Sequence, residues 1–539
     1  MSRSVRPGTL VVLVAAVAAA MWLSWLLWRG ASTDSVGRPP EVAELARRTD
    51  DPFLQLGLQV YAEKCAPCHG AAGRGDGPAA YLLFPKARDF SNGQFRLTST
   101  QSGLPSDADI LRTLKRGIPG SSMPPWGHLP DSVLMALVSA IRGLAVEGRV
   151  VVLMESEAMT RGEALAVARD VLAPGLPVDV PARPPDSRID TSLGRQLYMT
   201  GCAPCHDVDG RGLQKRDLKD DDGYPIFARD FTQGIFKGGS EPDVLALRIT
   251  RGLPGSPMPS LPYSAEELWA IVDYLGTLIK PGAQERAEQS QQVLKPAVVD
   301  GPIPRDPSDE RWQQIETTFL PVSPLWWRND RIEGVTVSML RNSEEIGFRL
   351  EWQDSTADAH QVSQRSFSDG AAIQFSNADD PPSFTMGSLG RECDIWYWRA
   401  STDPRVAEAA SQTEIIHPNY RDNHELPEAV AKDAAFLTAT AVGNPVAATD
   451  HAQSFQNLQA AGFGTLSPDG PEDQIIKGAA QRTSSGWAIV FVRCLQPTHP
   501  GDIVFDASRP MHIGFAVWDG HNQDRNGQKS MTIWHRLGW

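Results

Sequence analysis

Two short segments of this chain are composed to do covalent and coordination chemistry together. Cys65-Ala66-Pro67-Cys68-His69 and Cys202-Ala203-Pro204-Cys205-His206 each set a pair of thiols on one turn, with a histidine directly behind the second. That spacing lets the thiols reach the two vinyl groups of a haem and leaves the imidazole as an axial ligand to its iron. Other dithiol chemistry fits less well. A structural zinc needs four Cys or His ligands gathered together, and a redox dithiol turn has no use for the histidine. Both motifs therefore predict covalent haem c, attached through Cys65, Cys68, Cys202 and Cys205, with His69 and His206 on iron.

The flanking sequence repeats with the motifs. Gly57 and Tyr61 precede the first copy at the spacing at which Gly194 and Tyr198 precede the second. Further on, Ala87-Arg88-Asp89-Phe90 returns as Ala228-Arg229-Asp230-Phe231, and the loop Arg116 to Pro124 returns as Arg251 to Pro259. A methionine sits at the same place in both loops. Met123 and Met258, in glycine-rich, proline-flanked surroundings, are the expected sixth ligands, because a thioether on a stiff support completes an iron that already has a histidine. Each copy closes on a helical pattern, with Leu134, Leu137, Val138 and Ile141 in the first and Leu268, Ile271, Val272 and Leu275 in the second. Ser264 and Glu267 form a capping-box signature for the latter.

Both copies resemble class I cytochromes c, with a Gly/Tyr helix before the haem motif and a terminal helix after the methionine loop. The resemblance spans roughly residues 50 to 280. It implies His/Met-ligated irons without an open position, suited to outer-sphere electron transfer rather than to catalysis.

A chain of 539 residues exceeds one ordinary hydrophobic core and calls for about three domains. The expected organisation is residues 1–30 as a cytoplasmic tip and transmembrane signal-anchor, 50–148 as the first cytochrome domain, and 149–187 as a linker with a proline-rich end. Residues 188–280 form the second cytochrome domain, 281–304 a second linker, and 305–539 a β-sandwich. The anchor rests on the uncharged run Leu10 to Trp28, which spans about 28 Å as a helix. Arg3 and Arg6 ahead of it direct the rest of the chain out of the cytoplasm. Trp22, Trp25 and Trp28 and the poor small-residue site of Arg29-Gly30-Ala31-Ser32 disfavour its cleavage as a signal peptide. The net charge of −14 argues against a nucleic-acid partner and leaves room for partners with basic surfaces.

Beyond residue 304 the pattern changes to short strands: Gly334 to Leu340, Ile346 to Trp352, Ala371 to Phe375, Trp487 to Val492 and Ile513 to Trp518. The region holds the remaining cysteines, Cys393 and Cys494, whose pairing is left open by sequence. Phe367 to Phe375, Phe384-Thr385-Met386-Gly387, Ile395 to Trp398, Trp518-Asp519-Gly520 and Asp524 to Ser530 together resemble the haem b-binding γ subunit of ethylbenzene dehydrogenase. Its relatives include subunits of dimethyl sulfide dehydrogenase, selenate reductase and chlorate reductase. The resemblance implies a β-sandwich holding one non-covalent haem b between Met386 and Lys529; apart from the resemblance, eight of the eleven histidines lie beyond residue 300, which leaves His360 or His535 open as a substitute ligand. A lysine ligates iron only as the neutral amine, which burial and the metal must enforce.

The fold class expected from all this is an N-terminal transmembrane helix, two all-α cytochrome c domains and a C-terminal all-β sandwich. The function implied is a membrane-anchored electron-transfer subunit facing the periplasm, itself without catalytic residues. It would exchange electrons with an iron–sulfur subunit attached to a molybdenum catalytic subunit, and with a soluble or membrane cytochrome. Two other readings remain at this stage. A dihaem peroxidase needs a haem with an open sixth position, which paired Met123 and Met258 oppose. A haem-free β-sandwich binding a sugar or a partner is permitted by the Trp-rich strands.

Overall fold

The computed structural model describes residues 40–212, 217–359, 365–384, 386–403, 405–406, 454–497, 499 and 501–539. Helices fill the first part. Pro52–Lys64 begins on Asp51, whose carboxylate accepts from the Phe53 amide, and has proline where a missing N–H costs nothing. It crosses Asp131–Ser156 at Gly57, where a Cβ would lie 1.9 Å from the Ala136 carbonyl oxygen. The contact needs glycine. Leu58, Tyr61, Leu134, Leu137, Val138 and Ile141 make the core between these helices, joined by Ile110 and Leu114 of Asp107–Arg116.

The second copy repeats this arrangement. Thr191–Gly201 crosses Ala265–Leu278 at Gly194, whose Cβ would be 2.0 Å from the Ala270 carbonyl oxygen. Ser264 and Glu267 close a complete capping box at the start of the terminal helix. The terminal helix of the first copy continues to Ser156, and Arg161–Val171 folds back on it through Val150, Leu153, Ala164 and Ala168. After it the proline-rich stretch is pinned rather than free. The Trp269 indole donates to the Pro181 carbonyl, and Arg183 pairs with Asp273.

Two sheets form the C-terminal region among the described residues. The nine-stranded sheet runs in the order Val293–Leu294, His535–Leu537, Met511–Trp518, Gly370–Ser376, Cys393–Arg399, Phe455–Ala460 and Ser467–Pro468, with Ser530–Met531 and Ser323–Pro324 attached. The six-stranded sheet runs Lys477–Arg482, Gly486–Cys494, Glu345–Gln353, Gly334–Arg341 and Ala297–Val298, with Thr318–Pro321 on Gly334–Arg341. Alternation along the strands separates two cores. Ala371, Ile373, Phe375, Trp396, Trp398, Ile513, Phe515 and Val517 belong to the core shared with Phe348, Leu350, Ile489 and Phe491 of the other sheet. Ala372, Ile395, Ala516 and Trp518 belong instead to a cluster continuous with the first cytochrome core. The strand Gly370–Ser376 is consequently buried at every position.

The fold class needs one correction. The transmembrane helix expected over Leu10 to Trp28 lies outside the described residues, and among the described residues no helix is long and apolar enough to cross a membrane. Asp131–Ser156, with 26 residues, has the length but not the composition: Arg142, Glu147, Arg149 and Glu155 interrupt it. The described fold is ten helices and a sheet-rich C-terminal region, with no membrane span.

Candidate functional site

Each cytochrome copy positions its histidine with the same three devices. In the first, the Tyr61 hydroxyl donates to the Gly70 carbonyl at 3.0 Å and closes the turn after the motif. His69 Nδ1 lies 2.9 Å from the Arg88 carbonyl oxygen, and Phe90 stacks on the imidazole at 4.5 Å. A carbonyl only accepts, so Nδ1 carries the proton and Nε2 keeps its lone pair for a metal. Burial holds His69 below the ordinary histidine range, which favours the neutral ring. In the second copy Tyr198 donates to the Asp207 carbonyl at 2.8 Å, His206 Nδ1 meets the Arg229 carbonyl at 3.2 Å, and Phe231 stacks at 4.3 Å.

The methionine loops are equally matched. The Met123 amide donates to Ser121 Oγ at 3.3 Å, Ser121 Oγ donates to the Ile118 carbonyl at 2.7 Å, and the Ile118 amide donates to the Met123 carbonyl at 3.0 Å. Met258, Ser256 and Leu253 reproduce the set at 3.4, 2.7 and 3.1 Å. Gly117 and Gly252, at φ 68° and 70°, end the preceding helices, and a Cβ on either would lie 2.6 Å from Pro124 or Pro259 backbone. These loops admit no other residue there.

Cys65, Cys68, His69 and Met123 line one cavity, with apolar walls from Leu83, Phe90, Phe95, Ile110, Leu114 and Ile141. Thiols, imidazole and thioether thus converge on an apolar space, the donor set that holds a covalently attached haem c. Its charged lining is mainly cationic, with Asp109 as the carboxylate. Lys86, Arg88 and Arg96 come from the first copy, Arg229 and Lys237 from the second, and Phe384 from the β region. All three regions of the chain meet at this cavity.

The β region brings Met386 and Lys529 together. Lys529 Nζ lies 3.2 Å from Met386 Sδ and 5.2 Å from the centre of the Trp518 ring. Lys529 is 8% exposed, and no carboxylate pairs with it among the described residues. Burial lowers its pKa to about 8, which brings the neutral amine, the form able to ligate a metal, closer to neutral pH. An amine and a thioether brought together on the outer, cytochrome-facing side of the sheet are two side chains that would hold a non-covalent haem, which would supply a one-electron couple there. Met386 has a left-handed backbone, φ 73°, and its carbonyl accepts from the Gly462 amide at 2.9 Å. The Trp534 indole fixes the segment leading to it by donating to the Pro382 carbonyl at 2.9 Å.

The alternative ligands separate from this pair. His360 lies outside the described residues, and His535 Nδ1 accepts from the Gln292 amide at 3.1 Å at the other end of the sheet. Cys393 and Cys494 are free thiols on strands of different sheets. Several contributors escaped sequence reading: the Arg88 and Arg229 carbonyls, the Phe90 and Phe231 rings, and Trp518. The repeated Ala-Arg-Asp-Phe was the available signal for the first four.

Comparison with known proteins agrees with this division. Residues 309–530 match the family described as ethylbenzene dehydrogenase, 53–139 that of cytochrome c oxidase, cbb3-type, subunit III, and 191–278 that of cytochrome c. Chlorate reductase subunit gamma of Ideonella dechloratans is 27% identical over 263 residues, 47% of this chain and 88% of the relative. Dimethylsulfide dehydrogenase subunit gamma of Rhodovulum sulfidophilum is 27% identical over 297 residues, 51% and 87% of the two chains. The putative respiratory nitrate reductase heme subunit ORF7 of Haloferax mediterranei is 26% identical over 261 residues, 47% and 75%. Fold and site together define a cytochrome, the class of protein that carries electrons. More particularly, the chain joins two cytochrome c domains, which carry covalent haem c, to a C-terminal domain that matches the ethylbenzene dehydrogenase family and is similar to gamma subunits of chlorate reductase and dimethylsulfide dehydrogenase.

Proposed function

We propose that the chain is a three-haem electron relay of a molybdenum- and iron–sulfur-containing oxidoreductase in the periplasm. Cys65 and Cys68 bind one haem c with His69 and Met123 on iron, and Cys202 and Cys205 bind the other with His206 and Met258. Met386 and Lys529 hold haem b. Bound haem supplies a reversible one-electron couple; the chain fixes the ligands, keeps water from the iron and sets the charge around it. The haem b domain faces the iron–sulfur subunit, and the second cytochrome domain faces a soluble or respiratory-chain cytochrome. Arg3 and Arg6 ahead of an apolar run support an extracytoplasmic position.

The observation that carries this reading is the composition of the first haem cavity. Phe384, two residues from Met386, lines it from one side, and Arg229, whose carbonyl orients His206, lines it from the other. Electrons are thus expected to pass from haem b to the first haem c and on to the second, or the reverse. The test is haem content by type after c-type maturation of residues 31 to 539 with haem b supplied. Two retained haems and one extractable by acidified acetone are expected, the last lost in Met386→Ala and Lys529→Ala. Two retained and none extractable would reduce the protein to a dihaem cytochrome with a β-sandwich module.

A further inference from the structure

The second cytochrome domain places a buried cation in the first domain's cavity without an anion to match it. Arg229 is 9% exposed, and its Nε and Nη1 have no hydrogen-bond partner. The guanidinium presses on Gly120 of the loop that carries Met123: a Cβ there would lie 1.9 Å from Arg229 Nη1. On its other side Trp327 is shared with Arg331, the two guanidinium carbons standing 5.5 and 4.6 Å from the ring centre. Two arginines on one indole, with Lys237 of the same domain also lining the cavity, accumulate positive charge away from water. Of the first-domain cations, Lys86 donates, among the described residues, only to the Ala80 carbonyl, and both arginines are already paired with carboxylates. Arg96 pairs with Asp220 at 2.5 Å and Arg88 with Asp222 at 3.6 Å. Arg229 has no such carboxylate among the described residues, and burying a guanidinium without an anion costs several kcal/mol.

A haem brings two carboxylates of its own, its propionates, to the edge of its cavity. We propose that Arg229, assisted by Lys237, is the propionate-binding cation of the first haem c, supplied across the domain boundary by the second cytochrome domain. The proposal rests on haem c attachment at Cys65 and Cys68. Its consequence is electronic. A cation beside the haem favours the reduced, more negative state and raises the midpoint potential. The same residue holds His206 by its carbonyl, so one position in the chain adjusts one haem through its side chain and orients the iron ligand of the other through its backbone. Arg229 is a positioning residue in this sense.

The test is a spectroelectrochemical titration of the full-length holoprotein and of Arg229→Gln. A parallel Cys202→Ala/Cys205→Ala background, which retains only the first c-type haem, assigns the potentials. Arg229→Gln is expected to lower the first haem's midpoint by a factor of about ten in the reduction equilibrium, about 59 mV for one electron. The potential should also gain a pH dependence, as a propionate no longer held ionised takes up a proton on reduction. Arg229→Lys should restore most of the potential, and Lys237→Gln should move it the same way by less. An unchanged first-haem potential and pH profile in both Arg229→Gln and Lys237→Gln overturns the proposal, as does a shift confined to the second haem. If Arg229→Gln does not fold, Lys237→Gln decides. Absence of retained haem in the background variant, by contrast, would overturn haem attachment at Cys65 and Cys68 rather than the role of Arg229.

Discussion

Lys529 Nζ lies 3.2 Å from Met386 Sδ, joining residues 143 positions apart in the chain. A thioether is a weak acceptor and neutralises no charge, so the pairing does little for an ammonium buried this deeply. The arrangement suits an amine that gives its lone pair to a metal. It also makes the two proposed axial donors a liability to the protein before haem arrives.

That liability predicts opposite signs for two measurements on one variant. Lys529→Met replaces a buried cation by an apolar side chain of similar length, and removing an uncompensated charge stabilises by about 1–3 kcal/mol. The haem b-free full-length protein should therefore unfold at higher denaturant in the variant. Reconstituted with haem b, the variant should bind it far more weakly, or with the altered spectrum of bis-thioether ligation. A variant both less stable and normal in haem b binding would show that Lys529 serves packing alone.

The methionine loops predict a local effect at each haem c. Gly117→Ala and Gly252→Ala combine a left-handed backbone with a Cβ pressed 2.6 Å from proline backbone. The backbone preference alone is worth about 1–2 kcal/mol, and the clash adds to it. The first substitution should weaken the sulfur-to-iron charge-transfer absorption of the first oxidised haem only, the second that of the second haem only. Alanine at either site with unperturbed absorption and unchanged denaturation would contradict the rigid-loop account.

Much of this was legible because a repeat compares a sequence with itself. Met123 and Met258 stand out only as a pair, and the terminal helices announce themselves by period and by the Ser264 capping box. The five strands read from alternation and composition all form, within two residues of their ends, because strands rich in Val, Ile and aromatics with turn residues between them leave little choice. Phe455–Ala460 went unread: Phe-Gln-Asn-Leu-Gln-Ala is half polar without strict alternation, and its place beside Cys393–Arg399 is fixed by pairing partners distant in sequence. The cross-domain reach of Arg229 was illegible for a similar reason. Its motif looked like an internal feature of one domain, and only docking turns its side chain toward the other. Leu10 to Trp28 is a different case: an apolar run states a length but not what surrounds it, and it lies outside the described residues.

Docking of the first cytochrome domain on the sheet yields a prediction about haem b retention. Lys64, beside Cys65, donates to both carboxylate oxygens of Asp380 and to the Pro381 carbonyl, each at 3.0 Å. Asp380 is 54% exposed, so its share is discounted for solvent, and about 1–2 kcal/mol is expected from the buried side. The segment so held leads directly to Met386. Lys64→Met should speed haem b transfer to an apoprotein acceptor about fivefold to thirtyfold, while both haems c stay attached. Equal transfer rates in the two proteins would mean that the docking contact leaves the Met386 segment indifferent.

Asp369 lies at the centre of a buried carboxylate cluster and makes the β region sensitive to pH. Burial first, then the charge of Asp354, push its pKa up to about 8, against about 3.9 in an unfolded chain. Between those values the folded protein keeps a proton that the unfolded chain has released. The stability this provides is complete below about pH 4 and is lost as the pH rises through about 8. Asp354→Asn removes the repelling charge. Its remaining oxygen can still accept from the Thr356 amide and hydroxyl, as Asp354 Oδ1 does at 2.9 and 3.1 Å, and the new NH2 replaces an oxygen that has no partner. The denaturation midpoint should therefore fall less steeply from pH 5 to 8 in the variant, leaving it about 1 kcal/mol more stable than the parent at pH 8. His512 and His535, whose pKa values burial lowers to about 4, favour the opposite slope below pH 6.5, but they are common to both proteins and cancel in the difference. Parallel pH profiles for parent and variant would place the proton elsewhere than on Asp369.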